Sequence, residues 1–268
     1  MNKRYINLLL VLIVLLVVAC GNNVNNNKTS DSTEHNSLDT IKASGKLRIG
    51  TEGTYAPFSY HDANGKLTGF DVEISEAIAE RMDVQPEFIE AQWDGLFAGM
   101  DAKRFDVIFN EVSITDERKV KYDFSDPYIV SKAVLVVASD NEDIKSFADL
   151  KGKKSGQSLT SNLSDIARKN GAEIVATDGF NQSIDLLTSG RIDATINDGL
   201  SYLDLKKQKP DVKIKKVDEI ENGSHSAAVF LKGNDELVNA VNKALAEIKS
   251  DGTYLQISNK YFGADVSQ

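Results

Sequence analysis

An acid, two hydroxyls and an arginine follow a short apolar run near the middle of the chain. The run FDVIF (residues 105–109) ends in the pair Asn110–Glu111, and Ser113, Thr115 and Arg118 come within the next eight residues. A strand that only packs in a core does not need to be followed by so many polar and charged residues. We interpret this stretch as the end of a strand that opens onto a small polar ligand, because carboxylate and guanidinium groups bind charged partners strongly.

The same ending recurs 87 residues later. The segment WDGLFAGMDAKRFDVIFNE (residues 93–111) aligns without a gap with FNQSIDLLTSGRIDATIND (residues 180–198). In both, an aromatic residue precedes a helix-like apolar pattern, and a short apolar strand ends in Asn and an acid. Two ordinary αβ units can look alike by chance, but the shared ending favours two similar α/β lobes. Each lobe would present an acid at the carboxyl end of a strand, where ligands bind to open α/β sheets.

Strands alternate with helices over the rest of the chain, which predicts an α/β fold. The predicted strands are residues 46–52, 86–91, 105–109, 133–138, 173–176, 212–217 and 227–231. The predicted helices are residues 70–82, 144–150, 161–169, 236–249 and 253–261. A body that runs from about residue 38 to the last residue can bury a large core in one domain or two.

Seven motifs occur in one order along this body. They are TEGTYAPFSY, GKLTGFDVEI, WDGLFAGM, NEVSITDERK, YDFSDPY, GRIDATIND and DGTYLQISNKYFG. With these motifs the chain resembles, from about residue 41 to residue 264, the extracellular solute-binding proteins (family 3) of polar amino-acid ABC importers. The stretches GTEGTYAPF, Asn-Glu-Val after the strand and QSLTSN resemble the branch that binds L-cystine or cysteine.

The resemblance implies a periplasmic-binding-protein-like fold of type II, with two α/β lobes joined by a hinge of two extended strands. The first lobe is expected at 38–129 plus 225–268 and the second at 134–221, with hinges near 129–133 and 222–226. The ligand would be clamped between the lobes and delivered to the transmembrane subunits of an ABC permease. No cofactor and no catalysis are implied.

The resemblance also assigns ten residues to the ligand. Arg118 would bind the α-carboxylate through two parallel hydrogen bonds, and Asp198 from the second lobe would bind the α-ammonium. Backbone N–H groups at a helix start bind anions, so the loop before the helix at 161–169 would share the carboxylate. The remaining eight residues are Glu52, Tyr55, Trp93, Glu111, Ser113, Thr160, Ser161 and Asn162.

Plain structural roles remain open for several of these residues. Arg118 can pair with a neighbouring acid on a surface helix, and Asp198 can cap the helix that follows it. Residues 160–162 can simply cap a helix. Glu52 can bind the second ammonium of cystine, or the side chain of a lysine- or arginine-like ligand.

The N-terminus resembles a lipoprotein signal. Lys3 and Arg4 precede an apolar run over residues 6–18, which is shorter than the roughly 20 residues that a membrane span needs. Small residues lead up to Cys20, the only cysteine in the sequence. We expect a signal peptide over 1–19, lipid on Cys20 and a polar tether over 20–37. The protein would then be a monomer, anchored by lipid at the extracytoplasmic face of the cell membrane.

Other functional classes fit the sequence poorly. Without Lys3 and Arg4 the chain has 29 basic and 40 acidic residues, and a net charge of −11 argues against binding to nucleic acid. The three histidines are not spaced as ligands, so we expect no metal. No phosphate-binding loop, dinucleotide fingerprint or Gly-x-Ser-x-Gly motif appears.

Three alternatives stay open. The ligand can be a cationic amino acid (lysine, arginine or histidine) or glutamine in place of cystine. The fold has also been used for dehydration of cyclic acids, which needs a general acid aimed at a leaving hydroxyl. A sensory role is the third alternative.

Overall fold

The computed structural model describes residues 37–268. The predicted signal peptide, Cys20 and the predicted tether up to residue 36 lie outside the described residues. Within the described part, no helix combines the length and the apolar character that crossing a membrane requires.

Helices and strands alternate through the described chain. Its strands are β1 (Lys46–Thr51), β2 (Thr54–Tyr55), β3 (Ser59–His61), β4 (Leu67–Thr68), β5 (Gln85–Glu90), β6 (Val107–Ile108), β7 (Tyr122–Phe124), β8 (Ile129–Ser131), β9 (Ala133–Ala138), β10 (Lys154–Gln157), β11 (Glu173–Ala176), β12 (Ala194–Asp198), β13 (Ile214–Glu219), β14 (Ser224–Ser226) and β15 (Val229–Leu231). Its α-helices are α1 (Ser37–Ser44), α2 (Phe70–Arg81), α3 (Trp93–Asp101), α4 (Asp116–Lys121), α5 (Asn162–Lys169), α6 (Phe180–Thr188), α7 (Gly199–Gln208), α8 (Asp235–Ser250) and α9 (Thr253–Phe262).

Two five-stranded sheets share one topology. The first has the order β5-β1-β6-β15-β7, and the second has the order β11-β10-β12-β9-β13. In each sheet the first three strands are parallel and the last two run antiparallel to their neighbours. The chain therefore folds into two α/β lobes of a type II binding fold.

The segments that align in sequence occupy equivalent places in the two lobes. In the first lobe the Asp106 carboxylate accepts a hydrogen bond from Arg48 N (2.9 Å), at the neighbouring strand β1. In the second lobe the Asp193 carboxylate accepts one from Lys154 N (2.7 Å), at strand β10. The repeat in the sequence thus corresponds to a repeat in the structure.

One glycine of each lobe makes room for the apolar residue that lies two positions before the repeated strand. A Cβ on Gly50 would lie 2.7 Å from the Phe105 ring, and a Cβ on Gly156 would lie 2.7 Å from the Ile192 side chain. Both distances are far below van der Waals contact. A side chain at either position would displace the apolar side chain that packs directly on the strand, and the rigid Phe105 ring makes this most costly at Gly50.

Apolar periodicity explains how the helices attach to the sheets. In α8 the buried residues Leu237, Val241, Ala244, Leu245 and Ile248 recur at helical spacing and join the core of the first lobe. Strand β9 is buried at its four central positions and lies inside the second sheet. Both lobes therefore have cores of their own, and the site lies between them.

Two short strands connect the lobes. Strand β8 follows β7 of the first sheet and leads into β9 of the second, while β14 follows β13 and leads back to β15. They pair antiparallel, with Ser224 opposite Ser131 and Ser226 opposite Ile129. Two extended crossings of this kind can bend with small changes in φ and ψ.

Several elements differ from the sequence prediction. The helix predicted at 144–150 is a 3-10 turn over Phe147–Leu150, because the Asn141 side chain binds Ile144 N in a turn and Ser146 starts the helix with a capping box. The strand predicted at 212–217 begins at Ile214, since Val212 N bonds back to Lys209 O in a turn. Strand β10, helix α1 and the meander β2-β3-β4 were not predicted.

Candidate ligand-binding site

A cleft lies between the lobes, and its empty space, together with the open solvent at its mouth, is about 700 Å³. The first lobe contributes Glu52, Thr54, Tyr55, Trp93, Glu111 and Ser113 to its walls, and the second contributes residues from Gln157 to Leu163 and from Thr177 to Asp198. Eight of the ten predicted site residues line it: Glu52, Tyr55, Trp93, Glu111, Ser113, Ser161, Asn162 and Asp198. Arg118 and Thr160 are not among the lining residues.

At the first lobe's strand end, Asn110 holds Glu52 in place. Asn110 Oδ1 accepts hydrogen bonds from Glu52 N (2.8 Å) and from the hydroxyls of Thr51 (3.1 Å) and Ser59 (3.2 Å). Its Nδ2 donates to Glu52 Oε2 (2.7 Å). The Glu52 carboxylate is thereby fixed at the cleft by a fully buried amide.

The backbone of Glu111 is hydrogen-bonded to another buried acid, Asp71. The Glu111 backbone has φ = 50°, a left-handed conformation that is uncommon for a residue with a side chain. Its N–H donates to Asp71 Oδ2 (2.6 Å) at the start of α2, and its Oε1 accepts from the Ser226 hydroxyl (2.8 Å) on the crossing strand β14. The first lobe's site acid is therefore tied to a helix start and to the hinge.

At the second lobe's strand end, Asp198 has two structural roles and also faces the cleft. Its carboxylate caps α7 by accepting from Leu200 N (2.8 Å), and it accepts a short hydrogen bond from the hydroxyl of Ser131 on β8. The neighbouring Asn197 Oδ1 accepts from the Tyr55 hydroxyl (2.9 Å), which belongs to the first lobe. The helix cap that the sequence left open is thus present, and the same carboxylate lines the cleft.

Burial raises the pKa of four acids in and behind the cleft: Glu52, Asp71, Glu111 and Asp198. Desolvation raises the pKa of Glu52 and of Asp71 to about 7, and that of Asp198 to about 6. The pKa of Glu111 is raised well above its usual value by burial and by the nearby Asp198 carboxylate. Ionised carboxylates are costly here without a cation, so the cleft favours a ligand that carries positive charge.

Arg118 is a buried cation behind the cleft wall. Its Nη1 donates to Ser113 O (2.8 Å), and its guanidinium lies 5.2 Å from the ring centres of both Trp93 and Phe97. Burial lowers its pKa to about 10, so it stays charged at neutral pH. Among residues 37–268 no acid lies within ion-pair distance of it, so the surface pairing left open by the sequence is not formed. A buried guanidinium with no carboxylate partner is suited to an anionic ligand group.

The loop before α5 meets the first lobe at the cleft. Asn162 Nδ2 donates to the Ser113 hydroxyl across the cleft (3.3 Å), and the Ser161 side chain caps α5 by accepting from Leu163 N (3.1 Å). Thr160 N (2.9 Å) and the Thr160 hydroxyl (2.7 Å) both donate to Asp94 Oδ1. Thr160 therefore lies at the exposed edge of the cleft, where it contacts the protein's own carboxylate.

Sequence reasoning missed four residues that support the site. Asp71 carries a usable signal, since it is an acid between apolar residues at a helix start, and Asn110 stands out in the sequence only as part of the repeat. Ser131 and Ser226 carry none, because a serine in a short strand is common and its partner is distant in sequence. The part of the chain that the structure describes holds no group of three or more His, Cys, Asp or Glu residues suited to a metal ion.

Two similar α/β lobes, two extended crossings and a charged cleft between them are the architecture of a two-lobed binding protein for small solutes. The chain belongs to the bacterial extracellular solute-binding proteins, family 3, whose family model matches residues 47–264. It is a binding protein of the kind that serves amino-acid ABC transporters, and not an enzyme.

Known relatives span nearly the whole chain. The L-cystine-binding protein TcyA of Bacillus subtilis (strain 168) is 46% identical over 246 residues, which cover 91% of each chain. A structure of an ancestral arginine-binding protein bound to glutamine is 41% identical, covers 82% of this chain and 98% of its own, and has a TM-score of 0.78. The L-cystine solute receptor of Neisseria gonorrhoeae, in an unliganded open conformation, is 45% identical, covers 86% and 99%, and has a TM-score of 0.57.

The lobe arrangement resembles the ligand-bound relative more than the open one. The open receptor has the higher sequence identity but the lower TM-score. Direct hydrogen bonds between the lobes, from Tyr55 to Asn197 and from Asn162 to Ser113, agree with a closed cleft.

Proposed function

We propose that this protein captures L-cystine, or cysteine, between its lobes and delivers it to the transmembrane subunits of an ABC permease. The proposal rests on its relatives, among them an L-cystine-binding protein that is 46% identical over 91% of the chain. It also rests on the charges of the cleft.

One observation carries the proposed chemistry. Three acids, Glu52, Glu111 and Asp198, line one cleft, and among the described residues none of them forms an ion pair. One buried guanidinium, Arg118, lies behind the same wall without an acid partner. Unpaired buried charges of both signs at one site are costly, and a ligand that carries ammonium and carboxylate groups would stabilise both.

We assign the α-ammonium to Asp198 and the α-carboxylate to Arg118. Asp198 is positioned by the α7 cap and by Ser131, and it faces the cleft from the second lobe. Arg118 keeps donors beyond the one that binds Ser113 O, and its planar fork suits a carboxylate. Ser113, Ser161 and Asn162 would complete the carboxylate site, while Thr160 would act from the edge of the cleft.

The extra acid is what favours cystine over a simple amino acid. Glu52 lines the cleft, and its carboxylate is turned and fixed by Asn110. Cystine carries two ammonium groups, so Glu52 would bind the second one. Tyr55, Trp93 and the carbonyl of Glu111 would provide the remaining contacts with the ligand.

A cationic amino acid is the second candidate, for which Glu52 would bind the side chain. The ancestral arginine-binding protein, 41% identical with a TM-score of 0.78, gives this candidate its weight. Glutamine is also possible, since that relative was seen bound to it.

The cellular setting of the proposal follows from the N-terminus. We propose that the signal peptide 1–19 is removed, that lipid on Cys20 anchors a monomer at the extracytoplasmic face of the membrane, and that the tether ends near residue 37. Closure would bend the chain near 129–133 and 222–226, between lobes at 38–129 plus 225–268 and 134–221.

A ligand panel tests the proposal. The melting temperature is measured with cystine, cysteine, arginine, lysine, histidine and glutamine at equal concentration, without reductant. A ligand that binds only the folded state stabilises it by RT ln(1 + [L]/Kd), about 2.7 kcal/mol at a hundredfold excess over Kd. We expect the largest shift with cystine; a large shift with arginine or lysine and none with cystine would replace it by the cationic candidate.

A further inference from the structure

An exposed carboxylate of the first lobe binds a loop of the second lobe. Asp94 Oδ1 accepts from Thr160 N (2.9 Å) and from the Thr160 hydroxyl (2.7 Å), while Asp94 Oδ2 accepts from Leu159 N (3.2 Å). Asp94 belongs to the first turn of α3, and the loop immediately precedes α5. All three donors therefore lie in the opposite lobe, 65 or 66 residues away in sequence.

The contact is placed where it reports on closure. Asp94 directly follows Trp93, whose ring lines the cleft and stacks on Arg118. Leu159 and Thr160 lie one and two residues before Ser161, which lines the cleft and caps α5. Separation of the lobes would pull this carboxylate away from all three donors at once.

A role confined to the first lobe explains the contact less well. An acid in the first turn of a helix is favourable to the helix dipole wherever its side chain points. In the structure both Asp94 oxygens accept hydrogen bonds from the second lobe, and two of the three donors are backbone amides of the loop just before α5.

We propose that Asp94 is an inter-lobe latch. Its carboxylate holds the loop at Leu159–Thr160 and favours the closed form whether or not a ligand is present. The apparent dissociation constant equals the intrinsic one divided by the closed fraction, so a latch that raises the closed fraction lowers the apparent constant by the same factor. Asp94 and Thr160 are exposed, so water competes for the bonds and the expected effect is about two- to fivefold.

The latch is tested without any ligand. Amide hydrogen exchange of Leu159 and Thr160 is measured in the full chain in detergent, for the wild type and for Asp94→Ala. We expect several-fold faster exchange of these two amides in the variant, and no change in the amides of β12. Asp101→Ala is the matched control, because Asp101 is an exposed acid on the same helix that accepts a hydrogen bond from the Tyr122 hydroxyl of its own lobe.

A second measurement concerns the affinity for L-cystine, and this measurement rests on the proposed function. Calorimetry with L-cystine should give a dissociation constant two- to fivefold higher for Asp94→Ala, no change for Asp101→Ala, and a smaller rise for Thr160→Val, which removes only the hydroxyl donor. Unchanged exchange at Leu159 and Thr160 in Asp94→Ala would overturn the latch. Faster exchange together with no cystine binding in the wild type would leave the latch standing and overturn the ligand.

Discussion

The two strand ends that look alike in sequence have different roles in the structure. At the first lobe's end, Asn110 bonds only within its lobe, to Thr51, Glu52 and Ser59. At the second lobe's end, Asn197 accepts a hydrogen bond from Tyr55 of the other lobe. One asparagine builds the site, and the other joins the lobes across it.

The acids beside these asparagines differ in the same way. Glu111 receives its support from Asp71 and Ser226, and its carboxylate has no role in capping a helix. Asp198 ends its strand and starts α7, so its position is set by a helix cap and by Ser131. The repeated motif therefore determines where an acid lies relative to the cleft, while the local backbone determines which other groups that acid binds. The predictions that follow test this difference.

The largest effect is expected at Asp198. Asp198→Asn removes the charge that we assign to the ligand's ammonium but keeps a good helix cap, because Asn caps as well as Asp. Loss of one partner of a buried charge pair costs roughly 2–5 kcal/mol, so cystine affinity should fall at least about thirtyfold with little change in melting temperature. Calorimetry measures the affinity, with Asp185→Asn, an exposed acid of the same lobe, as the control.

Arg118 should come next. Arg118→Lys keeps the charge but loses the planar fork and the stacking between Trp93 and Phe97, so the substitution is not conservative. We expect cystine affinity to fall about tenfold, less than at Asp198, because the lysine ammonium keeps the charge and only the paired hydrogen bonds and the stacking are lost. An unchanged dissociation constant would remove Arg118 from the site.

The pH dependence of stability should follow the buried acids. The pKa of Glu52 is raised from its ordinary value of 4.5 to about 7 in the folded protein, so the folded state binds a proton more tightly than the unfolded state. The stability of the ligand-free form should therefore fall as the pH rises from about 4.5 through about 7. Glu52→Gln removes this loss. At about pH 8 the substitution should raise the melting temperature and increase the free energy of unfolding by at most about 3 kcal/mol, with little change in either quantity at about pH 5.

The ligand should reverse that trend. An ammonium group favours the ionised acids, so the cystine-induced rise in melting temperature should grow from about pH 5 to about pH 7.5 as Asp198 (pKa about 6) and Glu52 (pKa about 7) ionise. Thermal-shift series at both pH values measure this. A rise that is equal at both would argue that no ionised acid meets the ligand.

Tyr55 should have a smaller effect on affinity than Asp198 or Arg118. Tyr55→Phe deletes the hydroxyl that donates to Asn197 across the cleft and leaves the ring in place. A hydrogen bond of this kind contributes about 1 kcal/mol net, so cystine affinity should fall about fivefold and mainly through faster release. Stopped-flow release kinetics measure this, and Tyr60→Phe, on the neighbouring strand β3, is the matched control.

Local signals were enough to predict most of the fold. The repeat at 93–111 and 180–198 was readable because equivalent helices and strands need the same apolar spacing, and the seven motifs placed the family. Strand β10 (KSGQ) was not readable, since its apolar content is low and it is a strand only because it pairs with β11 and β12. Tertiary pairing here outweighs local preference.

The site was predictable only in part, for a related reason. Acids and an arginine at strand ends can be seen in a sequence, but the partners that orient them are set by the folded chain. The bond from Asn110 to Glu52 and the contact of Asp94 with Leu159 and Thr160 join residues 58 to 66 positions apart. Asp94 therefore gave no signal beyond its place beside Trp93.

The central claim is that one cystine lies in the cleft, with an ammonium on Asp198 and a carboxylate on Arg118. A crystal structure grown with L-cystine in the absence of reductant tests it most directly. We predict cystine between the lobes, an ammonium nitrogen about 3 Å from the Asp198 carboxylate, a carboxylate on the Arg118 fork, and the second ammonium near Glu52. Cystine bound outside the cleft, or a cleft that stays empty at saturating cystine while the lobes remain closed, would contradict the account.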